Sequence, residues 1–338
     1  MRIGFNPNKD KELPSSEYFH QVIIPVYIPN QEGYFKDSLQ VLKYCLESLF
    51  KTSHSKTYFT VVNNGSCTVV SEYLDGLYRQ GRLQELIHTT GIGKLNAILK
   101  GLTGHQFELI TITDADVLFQ NDWQNATYEV FEAFPEAGVV SPSPNPKMLR
   151  YYTANVIAKT LFSGKVSFSK VEDKEALKSF AQSIGNDKLY KGIHLNKNLT
   201  IFKNGIRALI GAGHFVATYN GVCFENLKQR YSKFSLGGDS EELILDKPAT
   251  DLGLWRLSTS KNYAFHMGNV SEEWMNEKLK NLNNGKTFLT GVKTGKANKP
   301  KIWSLLFLIV FSKIIFRKPV WKLYLKIKGL SKEEASQY

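Results

Sequence analysis

The chain has 338 residues, 42% of them hydrophobic and 22% charged, with 16 Tyr and 21 Phe. That is one large domain or two ordinary ones, with a composition that excludes disorder over most of its length. A net charge of +12 favours an anionic partner, while the lack of zinc-finger spacing, an RNA-binding aromatic signature or a long basic helix argues against nucleic acid.

The N-terminal stretch MRIGFNPNKDKELPSSEYF has no apolar core and is not expected to be a signal peptide. Residues 20–28, HQVIIPVYI, form a continuous β-branched run that predicts a buried strand. Residues 37–51 follow, with Leu39, Leu42, Cys45, Leu46 and Leu49 at helical intervals and Asp37 placed as N-cap. TYFTVV at 57–62 predicts a second strand running into Asn63-Asn64-Gly65-Ser66, and helical pattern returns at 68–80. A short strand near 85–89 leads to GIGKLNAILKGL at 91–102, a glycine turn opening a helix. The strand at 108–113 then ends on Asp114-Ala115-Asp116. Strand–helix alternation predicts a parallel sheet with helices on both faces, and ligands of such sheets bind at the carboxyl ends of the strands. Asn63, Asn64, Asp114 and Asp116 all fall at those ends.

Beyond Pro135 the order loosens. SPSPNPK at 141–147 is a proline-punctuated connection, and 150–205 carry helical pattern with many charges. GAGHFVATYN at 211–220 reads as a glycine turn and a strand, LGGDSEELILDKP at 236–248 as an acidic turn opening a short helix, and NYAFHMG at 262–268 as a late strand ending on His266. The stretch 302–316, IWSLLFLIVFSKIIF, is the most apolar part of the chain but is shorter than the roughly 20 residues that span a bilayer. Lys293, Lys296, Lys299 and Lys301 precede it, Arg317, Lys318, Lys322, Lys326 and Lys328 follow it, and Trp303 and Trp321 sit near its edges. This pattern suits a helix lying at an anionic membrane interface. Cys45, Cys67 and Cys223 are widely separated and read as reduced thiols.

Two carboxylates at i and i+2 point to one side of an extended chain and repel unless a cation joins them. Mg²⁺ or Mn²⁺, sharing such carboxylates with the oxygens of a diphosphate, is the chemical reading. The segments VIIPVYI, VVNNGS, GIGKLNAILKGL, TDADVLF, GAGHFVATYN, GGDSEEL and FHMGN, in this order over about residues 20–270, resemble glycosyltransferase family 2 with the nucleotide-diphosphosugar (GT-A) fold. The resemblance implies a Rossmann-like α/β architecture with a mostly parallel sheet. It divides the chain into an extension at 1–19, a GT-A domain at 20–270 (nucleotide-sugar half 20–135, acceptor half 136–270) and a basic, hydrophobic helical segment at 271–338.

The function it implies is inverting, metal-dependent transfer of a sugar from a nucleotide-diphosphosugar to a carbohydrate or lipid-linked acceptor. The basic C-terminal helix suggests a membrane-presented acceptor, and with it a place on the cytoplasmic side, peripheral at the inner face of the cell membrane, in surface-polysaccharide or glycolipid assembly. By the same resemblance Pro25, Tyr27, Asn63, Asn64, Lys94 and Asp114 face the nucleotide-sugar. Asp114, Asp116 and His266 hold Mn²⁺ or Mg²⁺. Gly211, Gly213 and His214 lie on the acceptor side, and one of Asp239, Glu241 and Glu242 is the catalytic base, with Asp239 the first choice. The chain has Asn63 where the family often has Asp, and Asp-Ser-Glu-Glu where it commonly has adjacent Glu-Asp. These departures leave room for a nucleotide-sugar-binding module without turnover. A haloacid-dehalogenase-like phosphatase also has an apolar strand ending in Asp-x-Asp, but its nucleophile lies near the N-terminus and a small Gly-Thr type pair follows; here Val117-Leu118 follow. A sugar-nucleotide pyrophosphorylase needs a glycine-rich, Arg-Leu-containing loop where Val26-Tyr27-Ile28-Pro29 stand.

Overall fold

The computed structural model describes residues 3–12, 16–283, 292, 294, 295 and 302–338. The strands are β1 His20–Val26, β2 Thr57–Asn64, β3 Glu85–Thr89, β4 Leu109–Thr113, β5 Val117–Phe119, β6 Ala137–Ser141, β7 Val166–Lys170, β8 Lys197–Lys203, β9 Ile206–Ile210, β10 Val216–Asn220, β11 Trp255–Thr259 and β12 Ala264–His266. Ten of them form one sheet in the order β3-β2-β1-β4-β10-β6-β11-β9-β8-β7, and β12 pairs with β5 in a separate ribbon. Strands β1, β2, β3, β4, β6, β8 and β11 run one way, and β7, β9 and β10 run the other.

The parallel half is built as its sequence predicts. Val22 and Ile24 of β1 face a core with the helices Ser38–Thr52 and Thr68–Arg79. Ile23 faces the opposite core with Leu95 and Ile98 of the helix Lys94–Gly101. Burial on both faces is why β1 shows no polar alternation. The helix after β1 starts at Ser38 with Asp37 as its N-cap residue, but the Asp37 side chain makes no capping bond; its Oδ2 accepts from the Ser271 amide at 3.1 Å.

The second half differs from the helical pattern read over 150–205. Helices Ala154–Thr160 and Lys174–Ser183 are there, but so are β7 and β8. These two pair antiparallel at the edge of the sheet. Edge strands keep one face wet and carry charge, so their apolar signal is weak. The three cysteines are free.

At the C-terminus, helices Ile302–Ile315, Lys318–Ile327 and Lys332–Gln337 follow one another. Trp321 is not an interfacial anchor: it is buried and stacks on Tyr324 with ring centroids 5.3 Å apart. Trp303 is 77% exposed. Among the described residues no helix is long and apolar enough to cross a membrane. Lys293, Lys296, Lys299 and Lys301 lie outside the described residues.

Candidate active site

The carboxyl ends of β1, β2 and β4 open into a cleft of about 480 Å³, within the range of small-molecule sites. Pro25 and Tyr27 line it from the first strand, Asn64 from the second, Gly91, Gly93 and Lys94 from the glycine turn, and Asp114, Ala115 and Asp116 from the acidic turn. Ser235, Leu236, Gly268 and Asn269 complete the wall. The nucleotide-side and metal-side segments picked out in the sequence therefore share one crevice.

Two glycines make this possible. A Cβ on Gly65 (φ +84) would lie 2.8 Å from the Gly91 nitrogen, and one on Gly93 (φ +90) 2.8 Å from the Phe234 carbonyl oxygen. Any side chain at either position would push the loops apart. Two amides of the glycine turn are already committed. Ile92 N donates to Asn64 Oδ1 at 2.8 Å and Lys94 N to Ser235 O at 3.0 Å. The Lys94 ammonium is the charged group that this turn carries into the cleft.

The two asparagines are committed internally. Asn63 Oδ1 accepts from Ser66 N at 3.0 Å, and its amide nitrogen meets Ser71 Oγ at 2.9 Å and His88 Nδ1 at 3.0 Å. Asn64 also accepts from Thr89 Oγ1 at 3.0 Å. Asn63 shapes the turn and does not line the cleft, whereas Asn64 does.

Residues 114–116 leave the extended path and turn between β4 and β5. As a result Asp114 and Asp116 meet different partners. Lys94 Nζ lies 2.5 Å from Asp114 Oδ1 and 3.7 Å from Glu241 Oε1. Burial by itself would lower the Lys94 pKa, but the Asp114 carboxylate and then Glu241 outweigh it and hold it above lysine's ordinary value. Asp116 Oδ2 lies 3.5 Å from His266 Nε2, and Asp116 Oδ1 is buried with no hydrogen-bond partner. Burial pushes the Asp116 carboxyl up, against the pull of His266. The His266 ring is fixed from behind, Nδ1 lying 2.9 Å from Ser183 Oγ. An unpartnered carboxylate oxygen beside an oriented imidazole fits a divalent cation. Among the described residues no three His, Cys, Asp or Glu side chains gather as a metal site. The protein ligands would then be Asp116 and His266, with phosphate and water oxygens for the rest, as Mg²⁺ and Mn²⁺ accept.

The acidic turn divides. Asp239 is exposed, and its backbone carbonyl accepts from Leu243 N at 3.0 Å. Glu241 faces inward, 3.3 Å from His214 Nε2. The contact with His214 holds Glu241 below the usual carboxylate range and raises His214 above its ordinary value. Glu242 accepts a short hydrogen bond from the Tyr152 hydroxyl. Residues Glu242–Asp246 wind as a π-turn, a feature frequent at functional sites. Gly211 and Gly213 lie in the buried turn that delivers His214 just ahead of β10.

Asp246 and Arg256 went unnoticed in the sequence. Both are fully buried and paired at 2.7 Å. Arg256 also donates to Ala212 O at 2.6 Å, and Asp246 Oδ2 stands 3.7 Å from His214 Nδ1. Asp246 closes the apolar run LIL and Arg256 interrupts LWRLS, and a charge so embedded is the signal that would have found them. Tyr152, at φ 57, carries no such signal.

Fold and cleft together define a mixed α/β protein with a ligand crevice at the strand carboxyl ends. No protein-family model and no curated protein matches the chain. Among solved structures it is similar to S. aureus TarS 1–349 (12% identity, TM-score 0.44, covering 77% of this chain and 69% of that one). It is similar to the same fragment in complex with UDP-GlcNAc (11%, 0.44, 94% and 69%). It is also similar to the mannosyltransferase PcManGT from Pyrobaculum calidifontis in complex with GDP-Man and Mn²⁺ (15%, 0.43, 96% and 88%). At these values the likeness is one of outline, and the chemistry rests on the residues of the cleft.

Proposed function

We propose that the protein is an inverting glycosyltransferase that moves a sugar from a nucleotide-diphosphosugar to an acceptor hydroxyl, the acceptor being a carbohydrate or a lipid-linked sugar of surface-polysaccharide or glycolipid assembly at the inner membrane face. The observation that carries this reading is the cleft itself, where Lys94, Asp114 and Asp116 converge beside strand ends suited to a nucleotide. Pro25 and the half-exposed Tyr27 offer a flat surface for the base. The Lys94 ammonium is a point charge for the diphosphate. Asp116 and His266 would hold Mn²⁺ or Mg²⁺, which when bound supplies charge stabilisation to the leaving diphosphate.

Inversion needs a carboxylate that takes the acceptor hydroxyl's proton as that oxygen attacks the anomeric carbon. Glu241 is a poor base because Lys94 and His214 hold its charge. Asp239 points to solvent. We therefore take Glu242, whose hydrogen-bond partner is the neutral Tyr152 hydroxyl, as the base, with Glu241 as the ionic link between the Lys94 side and the acceptor side.

The test is a panel of nucleotide-sugars, read by thermal shift and donor hydrolysis with added Mn²⁺. A donor that binds raises the melting temperature of the wild type, and Asp116→Asn loses the Mn²⁺-dependent part of that shift. Glu242→Gln is expected to cut turnover by about 10²–10⁴-fold with donor affinity kept, while Asp239→Asn stays near wild type. Undiminished turnover in Glu242→Gln removes it as the base, and tight donor binding with no turnover in the wild type identifies a binding module instead.

A further inference from the structure

The chain's charge is concentrated in one segment. Residues 278–332 contain fourteen Lys and Arg and no Asp or Glu, leaving 29 basic against 31 acidic side chains elsewhere. The described part of this segment also holds a cluster of exposed large apolar side chains. Helix Ile302–Ile315 is seated by Phe311 and Ile315, which pack on the core beside Phe316 and Trp321. Away from that seat Trp303, Leu306, Phe307, Ile309, Val310 and Ile314 are about half exposed or more. Positions 303, 307, 310 and 314 fall on one face of a helix. The next helix adds Leu323 and Ile327, four residues apart and more than half exposed, while Trp321, Tyr324 and Leu325 pin its other face inside. Lys313, Arg317, Lys318 and Lys326 stand exposed among these apolar side chains. Water alone does not favour such a surface.

We infer that the two helices Ile302–Ile315 and Lys318–Ile327 form a docking foot for an anionic lipid bilayer. The apolar face of the first lies in the headgroup region with Leu323 and Ile327 beside it, and the surrounding ammonium and guanidinium groups meet lipid phosphates. Charge complementarity selects this occupant. A second copy of the chain would bring one all-basic surface against another, at a repulsive cost. Neither helix crosses the bilayer, as fourteen residues fall short of a span. The foot is anchored by the Trp321–Tyr324 core, so it holds the protein at a fixed attitude to the surface.

The experiment is flotation of the full chain with vesicles of phosphatidylcholine alone or of phosphatidylcholine mixed with phosphatidylglycerol. Binding is expected to the mixed vesicles and to fall with added salt. Phe307→Asp/Val310→Asp is expected to abolish it. Lys313→Glu/Arg317→Glu/Lys318→Glu should lower the partition coefficient by at least about a hundredfold, at roughly fivefold per lost basic residue. All five positions are exposed or on the bare face, and circular dichroism of both variants should match wild type. Equal binding to neutral and anionic vesicles, or undiminished binding by the folded variants, overturns the proposal. So does a concentration-dependent dimer in light scattering that Phe307→Asp/Val310→Asp dissolves without any vesicle binding by the wild type. None of these readouts depends on sugar transfer, so their failure leaves the reading of the cleft standing.

Discussion

Lys94 shows what a single residue contributes. Its ammonium neutralises Asp114 at 2.5 Å and reaches Glu241 at 3.7 Å, so it is both a counter-ion of the resting cleft and its point charge for a diphosphate. Charge-assisted hydrogen bonds contribute about 1.5–3 kcal/mol each. Lys94→Met is therefore expected to weaken nucleoside-diphosphate binding by about 10- to 100-fold, measured by calorimetry, with Lys94→Arg intermediate. Affinity in Lys94→Met equal to wild type would remove the residue from the donor site. Lys94 was legible because a lysine directly after Gly-x-Gly is a recognisable pattern. Its pairing with Glu241, 147 positions later in the same numbering, was not, because nothing local in either segment specifies the other.

At the scale of elements, the cleft depends on how the loop at 232–240 is clamped to the helix Lys94–Gly101. Asn96 holds both ends of Ser232, donating to its carbonyl and accepting from its amide at 2.7 and 2.8 Å. Ser232 Oγ in turn meets Ser240 Oγ at 2.6 Å, which fixes the start of the acidic turn. Gly93 lets these segments touch. Gly93→Ala is expected to cost about 1–3 kcal/mol in urea denaturation and to expose the 228–240 loop to limited proteolysis. A variant as resistant as wild type would show that the loop is held elsewhere. The strand–helix units of the first half were legible because each buries a periodic apolar face. The β7–β8 pair was not, because a strand at the sheet edge with one wet face resembles a charged helix over a few residues.

For the molecule as a whole, the two ends of the sheet carry different chemistry. At the amino end, His20 lies 2.5 Å from the Tyr128 hydroxyl and 2.7 Å from Thr111 Oγ1, and His54 Nε2 reaches the same Tyr128 at 2.8 Å. Burial lowers His20 well below its usual value, and burial with Lys56 lowers His54 to about 4. Both are neutral when folded, and an unfolded imidazole titrates near 6.5. Their contribution is complete above about pH 6.5 and is lost as the pH falls from there towards 4. Unfolding free energy should drop by up to about 1.4 kcal/mol per pH unit for His20, and by less for the partly exposed His54. His214 has the opposite sign: raised by Glu241, it stabilises fully below 6.5 and loses that contribution as the pH rises through its folded value. Urea titrations at pH 5, 7 and 9 check this. His54→Gln should flatten the acid limb and His214→Gln the neutral-to-alkaline one, and unchanged slopes would refute the assignment.

What the sequence by itself determined is whatever repeats or punctuates locally. That includes the alternation of strands and helices to residue 135, the placement of Asn64, Asp114 and Asp116 at strand ends and of Lys94 in the glycine turn opening a helix, and the apolar, basic character of the C-terminal helices. Periodic burial and glycine turns are written in adjacent residues, so they can be read there. Only the tertiary structure decided that the two aspartates part company, that Glu241 and Glu242 rather than Asp239 turn inward, that Asp246 and Arg256 form a buried pair behind His214, and that Trp321 anchors the core. Each of these depends on contacts between segments far apart in the chain, where the direction of a side chain is set by packing and charge pairing rather than by its neighbours in sequence.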